Sequence, residues 1–444
     1  MNVDYTEIDG GSVFASGRHS CSFRPPIKCK HARTRRKNTI SKLIHTKYAR
    51  RELQNNAIVQ WLDPKYHLGI PESCPVGALD PAEDNVEKCP QITDISAFDK
   101  KDFVLFQLPD GGTSLEDYIT SKTSSPNLRK VARDLYPIIW GLADMYLQKI
   151  IHFDLKSPNI VYREKEGEMF LIDFNTALKM EKVKRNDSKL WTKRNYYLAP
   201  IDVEFLHSES TPLELVPNVD GKSGFLLAPK SKKQVYNRVR ERFVNGVGNY
   251  NAIQKVKRWG NYADLGNIMS HVIGISGLIN YSNKKGVDAA WEHCVLRFDI
   301  YSMGLIIGQI LEWGAKSDPA LAQDLRELAM IMANSSPLKR INGVELLRRY
   351  EKILAKHVED FKPWPAPTHR SSPIANPVKR AVRRKTKKSS AASRKSPVAS
   401  RKSPVASRKS SARSRGKNQE SPFVNLLKTP VRIIMDSPIG KLIR

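Results

Sequence analysis

One short stretch constrains the fold of this chain more than any other: residues 151–159 read Ile-His-Phe-Asp-Leu-Lys-Ser-Pro-Asn. Asn159 lies five residues after Asp154, and Asp173 lies fourteen residues after Asn159. Two short apolar stretches between Asn159 and Asp173 flank the polar residues 164–168, and this pattern predicts a β-hairpin. Because a hairpin brings its two ends together, Asn159 and Asp173 are expected at the same end of it.

These residue types are typical of a phosphoryl-transfer centre. Asp154 is placed to accept a proton from a hydroxyl group, and Lys156 can neutralise a transferring phosphoryl group. Asn159 and Asp173 supply the hard oxygens that Mg²⁺ prefers when it bridges the phosphates of ATP. A chance match on a surface loop is the alternative, and the second motif at the expected distance argues against it.

The two motifs resemble those of the eukaryotic-type protein kinases, His-Arg-Asp-Leu-Lys-x-x-Asn and Asp-Phe-Gly. The resemblance implies an α+β, bilobal protein-kinase-like fold with ATP and Mg²⁺ as cofactors. It places a small β-rich N-lobe at 1–108 and a larger helical C-lobe at 109–360, with an insertion at about 205–298. Lys156, two residues after Asp154, favours Ser or Thr over Tyr as the acceptor.

Further family features are expected along the C-lobe. Residues 103–112 predict a buried strand that runs into the adenine-binding hinge, and a capped helix begins near Ser114. A helix over about 128–148 should bury its apolar side and lead to His152, which is expected to brace the loop. Asp299, in a motif at 299–304, resembles the family residue that holds the catalytic-loop backbone.

The end of the C-lobe has further expected parts. Residues 197–204 resemble the end of the activation segment, where either Asp202 or Glu204 would pair with Arg340. Amphipathic helices are predicted near 319–334 and 342–356. The insertion contains helix-like stretches at 233–244 and 263–277, and it serves either a substrate or partner, or no function of its own.

The N-lobe assignments follow the resemblance with weaker motifs. Lys42, on a predicted strand at 39–44, is assigned to hold the ATP phosphates, and Glu52 on the next helix is assigned to orient it. Both could instead be solvent-facing charges. The phosphate-cradling loop is assigned to Gly17 within 15–22, with Gly10-Gly11 as the competing choice.

Two residues depart from the family pattern. Phe153 replaces the arginine that reads a phosphate on the activation loop, which predicts activity independent of that switch. Asn175 replaces the glycine of Asp-Phe-Gly, and asparagine tolerates left-handed backbone angles well enough to keep the expected turn. The residues at 23–29, 40–43 and 63–67 resemble serine/threonine kinases of large double-stranded DNA viruses of the iridovirus and ascovirus kind.

Bulk properties bound the remaining choices. The 444-residue chain is 40% hydrophobic, enough for a sizeable core, and it contains no run of about 18 apolar residues that would predict a membrane span. Five scattered cysteines without a Cys-x-x-Cys pair predict neither a disulfide framework nor structural zinc. A reducing intracellular compartment is expected, the host nucleus or cytoplasm if the viral resemblance holds, and packaging into virions is also open.

The strongest charge asymmetry lies in the C-terminal tail. The net charge is +29, and residues 370–417 contain 17 Lys or Arg and no Asp or Glu. Residues 361–417 are predicted to be disordered, and a seven-residue Ser-Arg-Lys-Ser-Pro-Val-Ala repeat starts at Ser393. This composition favours sequence-independent contact with DNA or RNA phosphates, while a localisation signal or a solvated tail is the alternative.

The tail also carries possible regulatory features. Phosphorylation at its Ser-Pro sites, Ser396 and Ser403 among them, would weaken phosphate-backbone binding. The apolar segment 418–444 is expected to dock on the globular part or on a partner.

Three functions follow as hypotheses. The first is an ATP-dependent protein serine/threonine kinase that acts on protein substrates, with basic proteins or its own tail as candidates. The second is a pseudokinase scaffold that organises nucleic acid through its tail. The third, a small-molecule phosphotransferase, is disfavoured by the motif at 299–304 and by the Leu-Lys that follows Asp154.

Overall fold

The computed structural model describes residues 11–17, 19–32, 34–77, 85–92, 98–121, 125–183, 200, 213–217, 225–229, 286–334 and 339–374. All of them fall in the first of two compact units, Met1–Arg383. The repeats of the tail, the segment 418–444, the end of the activation segment around Asp202 and Glu204, Gly10, and the helices predicted at 233–244 and 263–277 lie outside the described residues.

The N-terminal part is a five-stranded antiparallel sheet with strand order β1-β2-β3-β5-β4. Helix α1 follows β3 directly, so the strand and helix predicted for Lys42 and Glu52 are confirmed as elements. The bounds are β1 Ser12–Ser16, β2 Ser20–Arg24, β3 Thr39–His45, α1 Thr46–Asn56, β4 Glu72–Pro75 and β5 Phe103–Pro109.

The two faces of this sheet have different roles because successive side chains of a strand point to opposite sides. Lys42 lies opposite Phe106 across the β3–β5 pair, and the adjacent Ser41 lies opposite Gln107. On the Lys42 face, Phe106 and Ile44 pack against Ala49 of α1. The other face, which we call the outer face, is covered by a second cluster: Cys21, Phe23, Ile27, Leu43, Leu105, Val76, Val86, Cys89 and Ile92.

Two disulfides tie the outer face together, Cys21–Cys89 and Cys29–Cys74. The prediction that the cysteines form no disulfide framework was therefore wrong. The pairs are 68 and 45 residues apart in the sequence, and only the folded sheet brings their Cα atoms to 5.8 and 5.7 Å, the range that a disulfide needs. Cys294 is buried and is not disulfide-bonded.

The later part of the described chain is mainly helical, which together with the N-terminal sheet fits the bilobal fold predicted from the sequence. Its helices are α2 Leu115–Thr120, α3 Leu128–Asp134, α4 Tyr136–Leu147, α5 Gly286–Val295, α6 Phe298–Gly314, α7 Pro319–Met332 and α8 Gly343–His357. Ser114 caps α2 by accepting a hydrogen bond from Asp117 N, as predicted. The helices predicted near 319–334 and 342–356 are confirmed as α7 and α8.

The helix predicted over 128–148 is in fact two helices, α3 and α4, separated at Leu135. Pro137 in the first turn of α4 explains the break, because proline has no N–H and disfavours helical geometry in the residue before it. The buried apolar side is nevertheless as predicted, and Val131, Ile139 and Leu142 belong to the large core cluster of the helical part.

Short strands position the ends of the loops in this part. The β-hairpin predicted between Asn159 and Asp173 is confirmed: β8 pairs antiparallel with β9, and β6 adds a third strand. The remaining strands form the pairs β7–β10 and β11–β12. Their bounds are β6 Thr113–Ser114, β7 Ile150–Ile151, β8 Ile160–Arg163, β9 Glu168–Leu171, β10 Leu178–Lys179, β11 Leu213–Pro217 and β12 Phe225–Pro229.

Among the described residues, one helical stretch, Trp291–Ser317, is long and apolar enough by composition alone to cross a membrane. No uninterrupted apolar run marks this stretch in the sequence. In the structure 89% of that window is buried inside the protein, so its apolar residues are accounted for by the core that α6 forms with α7.

The segment that follows α8, residues 358–374, packs along α4, and we call it the strap. Trp140 Nε1 donates to Pro365 O at 3.0 Å, and Ile374 N donates to Gln60 O at 2.6 Å. Near the end of the strap, Arg370 forms an ion pair with the fully buried Asp144 at 2.5 Å. Disorder was predicted from residue 361 onward, and for 361–374 that prediction was wrong because Trp364 and Arg370 supply contacts that the tail composition does not reveal.

Candidate active site

The loop at 151–159 is held in place by its own backbone and by α6. Asp299, near the start of α6, accepts hydrogen bonds from His152 N at 2.6 Å and from Phe153 N at 3.1 Å. Phe153 has a φ of +62°, a conformation that costs energy in a non-glycine residue and persists only where the surroundings enforce it. The role expected for Asp299, holding the catalytic-loop backbone, is confirmed.

Burial raises the pKa of Asp299 to about 7, because removal from water disfavours the charged form. The two backbone N–H donors of the loop oppose that shift by stabilising the carboxylate, and the nearby Asp154 adds to it. The two backbone hydrogen bonds through which Asp299 holds the loop therefore also stabilise its ionised form.

His152 braces the loop from the inside, as predicted. It is fully buried, and its Nε2 donates to Ile172 O at 3.0 Å while its Nδ1 accepts from Asp154 N at 3.3 Å. These two bonds fix the tautomer and connect the catalytic loop to the residue that precedes Asp173.

Asp154 lies at the centre of the candidate site with two partners from the same loop. Lys156 Nζ lies 3.2 Å from Asp154 Oδ2, and Lys156 is only partly buried. Asn159 Nδ2 donates to Asp154 O at 2.8 Å and to Asp154 Oδ2 at 3.3 Å. The Asp154 carboxylate is thus oriented by the Lys156 ammonium group and by the Asn159 amide, which also donates to the backbone carbonyl of Asp154.

Asn159 and Asp173 lie at the same end of the β8–β9 hairpin, as the sequence predicted. Ile172 N donates to Asn159 O at 2.9 Å, which brings the two loops together. Asp173 is exposed and has a left-handed backbone, with φ +63° and ψ +61°. Since the NH₂ group of Asn159 is used by Asp154, its Oδ1 remains as the ligand atom beside the Asp173 carboxylate.

This donor set fits Mg²⁺. In the described residues no group of three or more His, Cys, Asp or Glu is arranged to hold a metal ion. Mg²⁺ bound to a nucleotide needs no such cluster, because one or two protein oxygens and the phosphates complete its coordination. Asn159 and Asp173 would hold it.

Lys42 and Glu52 form an ion pair across β3 and α1, with Nζ and Oε1 2.5 Å apart. Both side chains are mostly buried, with 23% and 14% of their surface exposed. The alternative that either is a solvent-facing charge is therefore not what the structure shows. The pair lies on the sheet face opposite the outer face.

Gly17 lies in the turn between β1 and β2, where Gly17 N donates to Ser20 O at 2.8 Å. A Cβ atom added at Gly17 would make only ordinary van der Waals contacts with its neighbours. Gly11 lies before β1, not in this turn, which favours Gly17 over the Gly10-Gly11 alternative on position alone.

Asn175 does not have the left-handed backbone expected from its place in the motif. Asp173 has it instead, and Asn175 lies in a short 3₁₀ turn, Phe174–Thr176. Asn55 Nδ2 donates to Asn175 O at 2.7 Å, and Asn56 Nδ2 donates to Asn175 Oδ1 at 3.2 Å. These two bonds, which we call the asparagine latch, fasten the end of α1 to the metal-ligand segment.

Sequence reasoning missed Asn55 and Asn56 as site residues. The available signal was the pair of adjacent amides one helical turn after Glu52, on the helix already assigned to orient Lys42. The hydrogen bonds that these two amides make to Asn175 could be seen only in the folded structure, where the two segments are in contact.

Phe153 is buried and packs edge-on against Phe298 at 5.0 Å between ring centroids. The position where the family pattern has an arginine is thus part of an apolar contact between the catalytic loop and α6. Arg340, which was expected to pair with Asp202 or Glu204, is buried and donates to Asn334 O at 3.0 Å, and both acidic residues lie outside the described part of the chain.

Residues 85–212 match the family model of the protein kinase domain. This match supports the eukaryotic-type protein kinase superfamily. It contains Asp154, Lys156, Asn159 and Asp173, while Lys42, Glu52 and Gly17 precede it and depend on the geometry above. No curated protein matches the chain. A match to this domain suggests phosphoryl transfer to proteins with ATP, and typically with Mg²⁺.

Proposed function

We propose that this protein is an ATP- and Mg²⁺-dependent serine/threonine protein kinase. The observation that carries the proposal is that the side chains of Lys156 and Asn159 both lie within hydrogen-bonding distance of Asp154, next to Asp173 at the same end of the hairpin. The kinase-domain match covers all four residues.

The chemistry follows from what each side chain can do. Bound ATP would supply the γ-phosphoryl group, and Mg²⁺ would offset the charge of its phosphates. Asp154 accepts the proton of the acceptor hydroxyl as the oxygen forms its bond to phosphorus in line with the bond that breaks to ADP. Lys156 offsets the charge on the transferring group, and Lys42, oriented by Glu52, binds the phosphates that stay with ADP.

Serine and threonine are proposed as acceptors because a lysine contacts Asp154 from two residues away, as in the Ser/Thr kinases that the motif resembles. Transfer of labelled phosphate to a mixture of basic proteins, followed by phosphoamino acid analysis, tests this. Phosphoserine and phosphothreonine are expected with wild type, and no label is expected with Asp154→Ala. Phosphotyrosine as the main product would contradict the acceptor assignment.

We also propose that the kinase is constitutively assembled. The Lys42–Glu52 pair is formed, the asparagine latch fixes α1, and Phe153 takes an apolar contact where a phosphate-reading arginine would lie. Each of these removes a step that activation by phosphorylation would otherwise control.

The cationic tail is proposed to bind nucleic acid without sequence preference, on the grounds of its charge alone. Because the strap ends at Ile374, a truncation should be made after residue 374 and not at 360. We expect this truncation to flatten the salt dependence of DNA binding and to leave the thermal stability of the kinase domain unchanged. An unaltered salt dependence would remove the tail from the account.

A pseudokinase scaffold is the second candidate, and the single glycine in the phosphate-cradling turn favours it. The labelled-phosphate assay separates the two, because a pseudokinase would give equal background signals with wild type and Asp154→Ala. An intracellular site of action and a viral origin remain proposals. The two disulfides remove the cysteine argument for a reducing compartment, and cell fractionation would test the location directly.

A further inference from the structure

The loop between β2 and β3 is strongly basic and plays no part in the site described above. Residues 24–37 contain seven Lys or Arg and one His, without a single Asp or Glu. A basic run of this kind is usually a solvated surface. Three observations set this loop apart: a cavity beneath it, the bonds that fix it, and the polar group at its floor.

A cavity of about 320 Å³ lies under the loop. Its lining includes Lys28, Lys30, His31, Arg35 and Arg36, with Gln107 of β5. Gln107 lies opposite Ser41 and next to Phe106, the partner of Lys42, so it points to the outer face of the sheet. The cavity is therefore on the side of the sheet away from the ATP-binding lysine.

The loop is anchored to the sheet. The Cys29–Cys74 disulfide joins it to β4, and Lys30 N and Gly77 N donate to Pro75 O and Lys28 O at 3.0 and 2.9 Å.

Two arginines of the loop have fixed positions as well. Arg35 NH1 donates to Pro26 O at 2.6 Å, and Arg36 NH1 pairs with Glu72 at 2.5 Å. A guanidinium has five N–H donors, so Arg36 keeps further donors for a ligand. Because the backbone of the loop is anchored, ordering it costs little entropy when a ligand binds.

The floor of the cavity offers an acceptor. Gln107 is 5% exposed, and its Nε2 donates to Ile27 O at 3.0 Å. Within the described part of the chain, its Oε1 is buried and accepts no hydrogen bond. A ligand that satisfies the whole cavity therefore combines an anionic group for the basic rim with an N–H donor for the floor.

We propose that this cavity binds a phosphorylated serine or threonine in a peptide segment. The phosphate would accept charge-assisted hydrogen bonds from Lys28 and Lys30, and a peptide N–H adjacent to the phosphorylated residue would donate to Gln107. The cavity has room for one such group and not for an extended surface. His31 carries the one aromatic ring among its lining residues, so it offers little stacking surface for the bases of a nucleic acid.

Fluorescence anisotropy with the full chain tests the proposal. The probes are a short neutral peptide of glycine and alanine with one central phosphoserine, the same peptide without phosphate, and a short single-stranded DNA. The variant Lys28→Ala/Lys30→Ala removes two rim charges. Lys316→Ala/Lys352→Ala is the matched control, since it removes two charges from exposed positions in the helical part.

The phosphopeptide is expected to bind wild type and the control variant equally, and to bind Lys28→Ala/Lys30→Ala at least about tenfold more weakly. Equal thermal stability of the three proteins excludes misfolding as the cause. Equal binding of both peptides, or of the phosphopeptide to both variants, would overturn the proposal. A loss confined to DNA binding would overturn it too, in favour of a nucleic-acid site.

Discussion

The asparagine latch makes a quantitative prediction about catalysis. Asn55→Ala/Asn56→Ala removes both hydrogen bonds from α1 to Asn175, each worth about 1 kcal/mol, so the attachment of α1 weakens by about 2 kcal/mol. That corresponds to a factor of roughly 30 in the equilibrium that keeps Glu52 on Lys42. We therefore expect kcat/KM for ATP to fall by up to about 30-fold.

Stability should change less than activity. Alanine is a better helix former than asparagine by about 0.5 kcal/mol per residue, which offsets part of the lost hydrogen bonding. Gln54→Ala is the matched control, because it truncates an exposed amide on the same helix, and it should leave kcat/KM unchanged. Steady-state phosphotransfer at varied ATP concentration measures kcat/KM for the double variant and for the control. A double variant within twofold of wild type would show that the latch does not position α1.

Three further predictions follow from other contacts. Arg370→Ala leaves the buried Asp144 without its cation, so chemical denaturation should show a loss of about 3 kcal/mol in the free energy of unfolding; a loss below about 1 kcal/mol would mean that the strap adds little. Burial lowers the pKa of His67 to about 4, so the folded state holds fewer protons than the unfolded state between pH 6.5 and 4, and stability is lost as the pH falls. Relative to His67→Phe, wild type should therefore lose up to about 3 kcal/mol between pH 7 and pH 4, and parallel curves would contradict this. Because Phe153 replaces the phosphate-reading arginine, phosphatase treatment should leave kinase activity unchanged, and a collapse in rate would contradict that account.

Local patterns predicted what depends on neighbouring residues. The hairpin between Asn159 and Asp173 followed from two apolar stretches around a polar turn, and the role of Asp299 followed from a motif. In both cases the sequence carries the spacing that the geometry needs.

Contacts between distant segments were not predictable in this way. The disulfides join residues that only the sheet brings together, and the Asn175 contact depends on the placement of α1. The strap was missed for a different reason. Its composition resembles that of the tail, and composition therefore predicted disorder. A single specific contact, the ion pair between Arg370 and the buried Asp144, does not show in an average composition.

The break between α3 and α4 was readable in principle. Pro137 is a known helix breaker, but the apolar periodicity runs through it and led to a single helix. Periodicity reports which side is buried, and it does not report where the backbone hydrogen bonds stop.

The central claim is that Asp154 takes the proton of an acceptor hydroxyl in a working kinase. Asp154→Asn keeps the size of the side chain and its contact with Lys156 while it removes the proton acceptor. The measurement is kcat for phosphate transfer to a protein substrate under saturating ATP and Mg²⁺. We predict measurable wild-type turnover and a loss of about 10²–10⁴-fold in the variant, with thermal stability unchanged. Equal rates for the two proteins, or no transfer by wild type, would contradict the account.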